Sequence, residues 1–249
     1  MILRYLLILV LGGSLQSYGQ TIDYFRVHLG PKIDRYTVTQ NDNVRGKTHL
    51  DVGAGIYVGK MINEQFYGEV GLVKNDYSAK FEIDVVQPNG AVLRGFGNQL
   101  YPTFTTTQLS LAAGYRYPLS KVMTLYGQGG LNVIVNKSLS REGSQTFTEE
   151  VRNDEFGITD EIEVITYSNG FGPGGYLFRG DVGTLIHVGK EFYVDVSLSA
   201  RSSSLQLNEF DIEYIAGSNP QKQGAKLSTK GTGFGVYIGM RYVIGKDAS

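Results

Sequence analysis

The stretch Leu50-Asp51-Val52-Gly53-Ala54-Gly55-Ile56-Tyr57-Val58-Gly59 decides the fold, because every even position is aliphatic and every odd one is acidic, glycine or tyrosine. Successive side chains of a strand point to opposite faces, so this segment has one apolar and one polar face. The alternation recurs. Phe25, Val27 and Leu29 oppose Tyr24, Arg26 and His28, while Phe66, Val70 and Leu72 oppose Tyr67, Glu69 and Gly71. Leu109, Leu111, Ala113, Tyr115 and Tyr117 oppose Gln108, Ser110, Gly114 and Arg116. Leu125, Leu131, Val133 and Val135 oppose Tyr126, Gln128, Asn132 and Asn136, with Ile134 out of pattern. Tyr176, Phe178, Val182 and Ile186 oppose Arg179, Asp181 and Gly183; Phe192, Val194, Val196, Leu198 and Ala200 oppose Asp195, Ser197, Ser199 and Arg201. Phe234, Val236, Ile238, Met240 and Tyr242 oppose Gly235, Tyr237, Gly239 and Arg241, which brings the strand count to eight.

Alternation alone fits a soluble barrel as well as a membrane barrel, and the polar face separates the two. It carries Arg26, Asp51, Glu69, Arg116, Arg179, Asp181, Asp195, Arg201 and Arg241, interleaved with glycines. Arginines and acids beside small residues suit a narrow interior in which charges pair, whereas a solvated face favours lysine and glutamate. The other face is aliphatic with aromatics near the strand ends, as lipid and its interface require. These nine residues are therefore expected to form a lumen charge network.

The connections alternate in length. Asn63-Glu64-Gln65, Pro118 to Val122 and Gly189-Lys190-Glu191 are short, and 40–47, 87–101, 140–173 and 208–230 are long. Short turns at one end and long loops at the other mark an up-and-down barrel with periplasmic turns and extracellular loops. Within 140–173, Thr146 to Val151 and Glu161 to Tyr167 have strand character around Asn153 and Gly157, which predicts a hairpin projecting beyond the membrane.

The amino terminus supplies the compartment. Arg4, the apolar run Tyr5 to Gly13 and Ser17-Tyr18-Gly19 read in order as the basic region, apolar core and cleavage site of a secretory signal over residues 1–19. Residues 20–249 are then expected to be a single barrel domain, with no further domain after it. The chain has 249 residues, no cysteine, 33 glycines and 17 tyrosines, with a net charge of −1. Absent cysteine excludes disulfides, thiolate metal sites and a cysteine nucleophile. Near-neutral charge removes any bulk attraction to nucleic acid.

The signal, the eight strands, the tight turns, the long loops and the closing strand Gly233 to Tyr242 resemble the small outer-membrane barrels typified by the OmpA transmembrane domain and by OmpX. The resemblance spans Tyr24 to Gly245 and implies an all-β, eight-stranded antiparallel barrel with a plugged interior in the outer membrane of a Gram-negative bacterium. Its members act as tethers, adhesins, immune-evasion proteins or subunits of larger complexes. Members commonly end on an aromatic residue, whereas here Tyr242 is followed by Val243 to Ser249.

No enzymatic constellation emerges, so an enzyme, a cofactor and a metal are not expected. His28 lies in mid-strand and His187 at the short-turn end; His49, near Asp51 at the outer rim, has no serine on its strand to complete a lipid-hydrolysing set. The acidic run 141–163 lacks the order of a calcium loop and reads as a solvated surface. Gly170 to Gly175 and Gly95-Phe96-Gly97 open no helix and make no phosphate cradle. The expected function is that of a structural or interaction barrel held in outer-membrane lipid, whose loops meet protein partners or seat it in a larger complex. The competing readings are a narrow transport channel and, behind it, a lipid-modifying barrel enzyme.

Overall fold

A computed structural model describes residues 22–244, apart from 88, 97–100, 140–143, 154–156, 172–174 and 218. The signal segment 1–19 lies outside the described residues, as do Glu142, Asp154 and Glu155 of the acidic run and parts of both glycine-rich pieces. The described chain is all-β: β1 (Tyr24–Thr39), β2 (Val44–Lys47), β3 (Leu50–Met61), β4 (Phe66–Val86), β5 (Val92–Gly95), β6 (Tyr101–Pro118), β7 (Met123–Leu139), β8 (Ser144–Asn153), β9 (Ile158–Phe171), β10 (Tyr176–His187), β11 (Phe192–Ser202), β12 (Asn208–Ala216) and β13 (Asn219–Val243). Eight of these form a ring in the order β1-β3-β4-β6-β7-β10-β11-β13, and β13 pairs back onto β1 from Tyr24↔Val243 to Thr39↔Lys226. Closure leaves no sheet edge at membrane level, which is the condition for a β-structure to sit in lipid.

The three tight turns are held by their own side chains and backbone. The Asn63 carboxamide oxygen accepts from the amides of Gln65 (2.9 Å) and Phe66 (2.7 Å), and Ser120 Oγ accepts from Val122 and Met123. Gly189 begins the third, where the Val188 amide donates to the Phe192 carbonyl at 3.0 Å. Strand β1 runs through Gly30-Pro31, where the sequence pattern stops. Proline lacks a ladder donor, and the β1–β13 ladder skips Gly30 and Pro31 before resuming at Lys32↔Gly235.

At membrane level the apolar parity faces outward: Phe234 is 71% exposed, Ile238 62% and Val182 60%. Bulky apolar side chains this exposed around a whole ring are explained only by an apolar solvent. Phe25, Phe66, Tyr117, Phe192 and Tyr242 collect at the short-turn end of that band, and Phe192 and Tyr242 touch at 5.0 Å. The barrel is therefore a transmembrane one.

Beyond the band the strands continue, and the faces exchange chemistry without exchanging parity. On β4 the outward Phe66, Val70 and Leu72 give way to Lys74, Asp76 and Lys80, while the inward Glu69 and Gly71 give way to Tyr77, Phe81, Ile83 and Val85. On β13 the inward Arg241 and Tyr237 correspond further up to Leu227 and Ala225, and the outward Phe234 to Lys226. Water has replaced lipid outside, so the apolar side chains move inside.

This upper part corrects the reading of the long connections as loops. Segment 40–47 contains β2, segment 87–101 contains β5, and segment 208–230 contains β12 and the first half of β13. The hairpin expected within 140–173 is present as β8 and β9, paired from Ser144↔Tyr167 to Asn153↔Ile158. It does not stand alone, because β9 pairs with β12 and β12 with β13. A sheet β2-β4-β5 faces a sheet β1-β13-β12-β9-β8 across one core that includes Val44, Phe81, Ile83, Leu93, Val151, Ile162, Val164, Phe210, Ile212 and Leu227. We refer to this element as the cap.

Candidate functional site

The lumen is built from the inward parity of the eight ring strands. Nearest the turns, Arg26 pairs with Glu69 at 3.0 Å and with Asp195 at 2.7 Å, and Arg241 approaches the same two acids at 3.5 and 3.9 Å. Tyrosines complete the shell: the Tyr24 hydroxyl donates to Glu69 (3.0 Å) and the Tyr126 hydroxyl to Asp195 (2.7 Å), while the Arg241 guanidinium lies over the Tyr24 ring at 4.3 Å. One level up, Arg179 binds Asp181 at 2.6 Å and donates to the Tyr57 hydroxyl, which in turn meets His28 Nε2 at 3.1 Å. Gln128 links this level to the first, donating to Asp181 and accepting from Tyr67. At the third level Arg201 reaches Asp34 (3.1 Å) and Asn75 (3.1 Å), and Lys32 also pairs with Asp34.

Of the nine residues expected in the lumen, eight are buried there: Arg26, Asp51, Glu69, Arg179, Asp181, Asp195, Arg201 and Arg241. Seven of these take part in ion pairs, and Asp51 instead accepts from the Ser78 amide at 2.9 Å. Arg116 does not join them. It has the inward parity, but it stands at the turn end of β6, half-buried, and its Nε donates to the Glu64 carbonyl at 2.7 Å. Lys32 and Asp34 were missed by the sequence reading, because Gly30-Pro31 hid the continuation of β1, although both keep the parity of Arg26 and His28. With them the lumen sets Arg26, Lys32, Arg179, Arg201 and Arg241 against Asp34, Asp51, Glu69, Asp181 and Asp195, so the opposing formal charges balance. Balance matters here because an unmatched buried charge costs several kcal/mol.

The glycines on the same parity make room for the rings. A Cβ added at Gly59 would lie within 3.0 Å of the Tyr24 ring, at Gly71 of Tyr57, at Gly114 of Tyr67, at Gly183 of Tyr126 and at Gly235 of Tyr237. At these positions the bare glycine backbone is what lets the inward tyrosine rings pack against the barrel wall.

Above Lys32 the plug turns apolar. Lys32 Nζ lies 3.7 Å from the Tyr77 ring centroid, and Tyr77 stacks on Phe104 at 4.7 Å. Ile134, out of pattern in the sequence, points inward here and joins the cap core with Leu177 and Leu207. The remaining histidines make local contacts: His187 stacks on Tyr193, and His49 is 4.0 Å from Asp51. Among the described residues no group of three acidic or histidine side chains is placed to hold a metal ion. The acids of β8 and β9 are spread over the cap, where Glu149 accepts from the Phe96 amide and Asp160 from Gln87. Outside the membrane, a hydrogen bond from Lys222 holds the Glu213 carboxyl below its ordinary range.

No protein-family model matches the chain, and no curated protein is similar to it in sequence. Solved structures of similar outline include the outer membrane protein OprG from Pseudomonas aeruginosa, at 11% identity over 91% of this chain and 98% of that one, with a TM-score of 0.46. The outer membrane protein AlkL matches at 11% identity over 94% and 96%, with a TM-score of 0.40. The Ail protein of Yersinia pestis matches at 8% identity over 89% and 100%, with a TM-score of 0.35. The class rests on the barrel itself. A closed eight-stranded ring with an apolar exterior and an ion-paired interior is a transmembrane β-barrel of the outer-membrane type.

Proposed function

We propose that the protein is a structural and interaction barrel of the Gram-negative outer membrane, exported by residues 1–19. A sealed transmembrane anchor presents the cap at the cell surface as a rigid binding platform. The observation that carries this reading is the double seal. An eight-stranded interior is only wide enough for side chains to fill, and here three levels of ion pairs lie beneath an apolar core drawn from both sheets of the cap. Passage of a solute would require breaking buried pairs and opening that core together. The exposed face of the cap is polar, with matched pairs such as Lys47–Glu82 at 2.7 Å and Lys226–Glu209 at 2.9 Å. Such a surface suits contact with hydrated partners, either other molecules at the cell surface or a neighbouring subunit of a membrane complex. Recordings in planar bilayers test the proposal: purified protein should give no stable conductance steps. Reproducible open channels from the unmodified protein would favour transport instead. Co-purification from native membranes in mild detergent separates a free-standing barrel from a complex subunit.

A further inference from the structure

The outer wall carries a groove of about 440 Å³ in the upper half of the apolar band, lined by Pro31, Ile33, Leu50, Val182, Leu198 and Phe234. It crosses five neighbouring strands, β3-β1-β13-β11-β10, and its floor includes the small residues Gly180 and Ala200. A Cβ at Gly180 would meet no atom within 4 Å, so nothing of the protein fills that space. In a bilayer such a groove takes an apolar chain, since neither water nor protein occupies it.

Directly above the groove two cations stand on adjacent strands. Between Asp34↔Gly233 and Tyr36↔Thr229 the β1–β13 register slips, so that Lys230 to Thr232 bulge opposite Arg35. Gly231 adopts φ +70° at the bulge, and the Thr229 hydroxyl donates to the Arg35 carbonyl at 3.0 Å, which fixes the two strands there. Arg35 and Lys230 are both exposed on the outward parity, Arg35 one outward step from Ile33 and Lys230 two outward steps from Phe234, past Thr232. Among the described residues neither is in an ion pair. Cations of the cap such as Arg45, Lys47, Arg94, Lys222 and Lys226 do have acidic partners. Two cations without acidic partners on adjacent strands at the membrane surface offer an anion two points of attachment.

We propose that this face is a specific binding site for a phosphorylated lipid of the outer leaflet, with the headgroup phosphate held by Arg35 and Lys230 and an acyl chain in the groove. The site rests on the transmembrane reading of the barrel and extends it to one lipid class. Arg35 supplies the planar fork that suits phosphate oxygens, and Lys230 a second point charge. The groove supplies selectivity for a chain over a free anion, and basic clusters beside apolar channels recognise lipid headgroups in this way.

The test uses the folded protein in detergent, exchanged against bisphosphorylated lipid A, with retained lipid counted by native mass spectrometry. The unmodified protein should keep one lipid A per barrel. Arg35→Gln/Lys230→Gln should lower apparent affinity by about tenfold or more, since each cation contributes a charge-assisted hydrogen bond. Gly180→Phe should lower retention by filling the groove while both cations remain; if that variant does not give the heat-modifiable gel form, Ala200→Leu fills the same space. Lys74→Gln removes an exposed cation on β4, away from the groove, and should change nothing. Equal retention by the unmodified protein and the double variant would overturn the site. So would equal retention of dephosphorylated lipid A, or displacement of the lipid by glucosamine phosphate alone, which would mean an anion site without a chain. Failure of the membrane reading would look different, as a barrel that folds without lipid or detergent.

Discussion

Glu69 is the group whose loss the lumen should tolerate least. Its carboxylate takes Arg26 at 3.0 Å, Arg241 at 3.5 Å and the Tyr24 hydroxyl at 3.0 Å, and it is almost fully buried. Glu69→Gln keeps the shape and an acceptor for Tyr24 but removes the charge, leaving Arg26 and Arg241 to share Asp195 alone. Breaking one member of a buried pair costs about 3–5 kcal/mol, and retention of the tyrosine hydrogen bond places this variant towards the low end. Adding Arg241→Met restores neutrality, so the double variant should be more stable than the sum of the two single losses by at least about 1 kcal/mol. Arg116→Ala is the control, because its partner is a carbonyl at the solvated rim, and it should cost no more than about 1 kcal/mol. With 17 tyrosines and no tryptophan, urea unfolding from lipid vesicles can be followed by tyrosine fluorescence. A Glu69→Gln loss no larger than that of Arg116→Ala, or strict additivity in the double variant, would refute the coupled lumen.

Three further outcomes follow from the geometry. Arginine at Ile238, in the middle of the lipid band, should cost about 2–4 kcal/mol, whereas Ser228→Arg, outward on the same strand but above the band, should cost close to zero, both read by unfolding from vesicles. Gly71→Ala drives a methyl into the Tyr57 ring and should cost about 1–3 kcal/mol, while Gly129→Ala, with no atom within 4 Å of the new Cβ, should be silent in the same assay. Ile212→Ala, in the cap core, should cost about 2–5 kcal/mol of cap stability; limited proteolysis should then cut the cap while the heat-modifiable gel shift of the barrel survives.

The membrane-level ring was legible because lipid outside and charge inside make the two strand faces chemically opposite. The cap was harder to read for a physical reason. Glu209, Asp211 and Glu213 alternate with Phe210, Ile212 and Tyr214 as cleanly as any ring strand, but the segment lies in a long connection between ring strands and its apolar face packs inward. Once the rim is passed, the rule that apolar means outward reverses, and segments that do not fit it look like loops. Ile134 marked that reversal at a single residue, since it holds the inward parity where the lumen changes from Asn132 to the cap core. Lys32 and Asp34 were hidden by a proline inside a strand, tolerated here only because the ladder to β13 is already interrupted beside it. Arg116 shows the opposite limit, since parity gives the face a residue takes and says nothing of its depth.

The exchange of chemistry along one strand of constant parity is the central claim, and β13 carries it from end to end. The chain has no cysteine, so single cysteines can be placed from Gln223 to Tyr242 and spin-labelled without background. In vesicles, labels at the outward positions 234, 236, 238, 240 and 242 should be accessible to oxygen and shielded from a water-soluble nickel reagent. Outward positions 224, 226, 228 and 230 should show the reverse, and inward positions such as 227, 229 and 237 should be shielded from both. Loss of the two-residue period above position 230, or nickel access at 236 and 238 in the folded protein, would contradict the account.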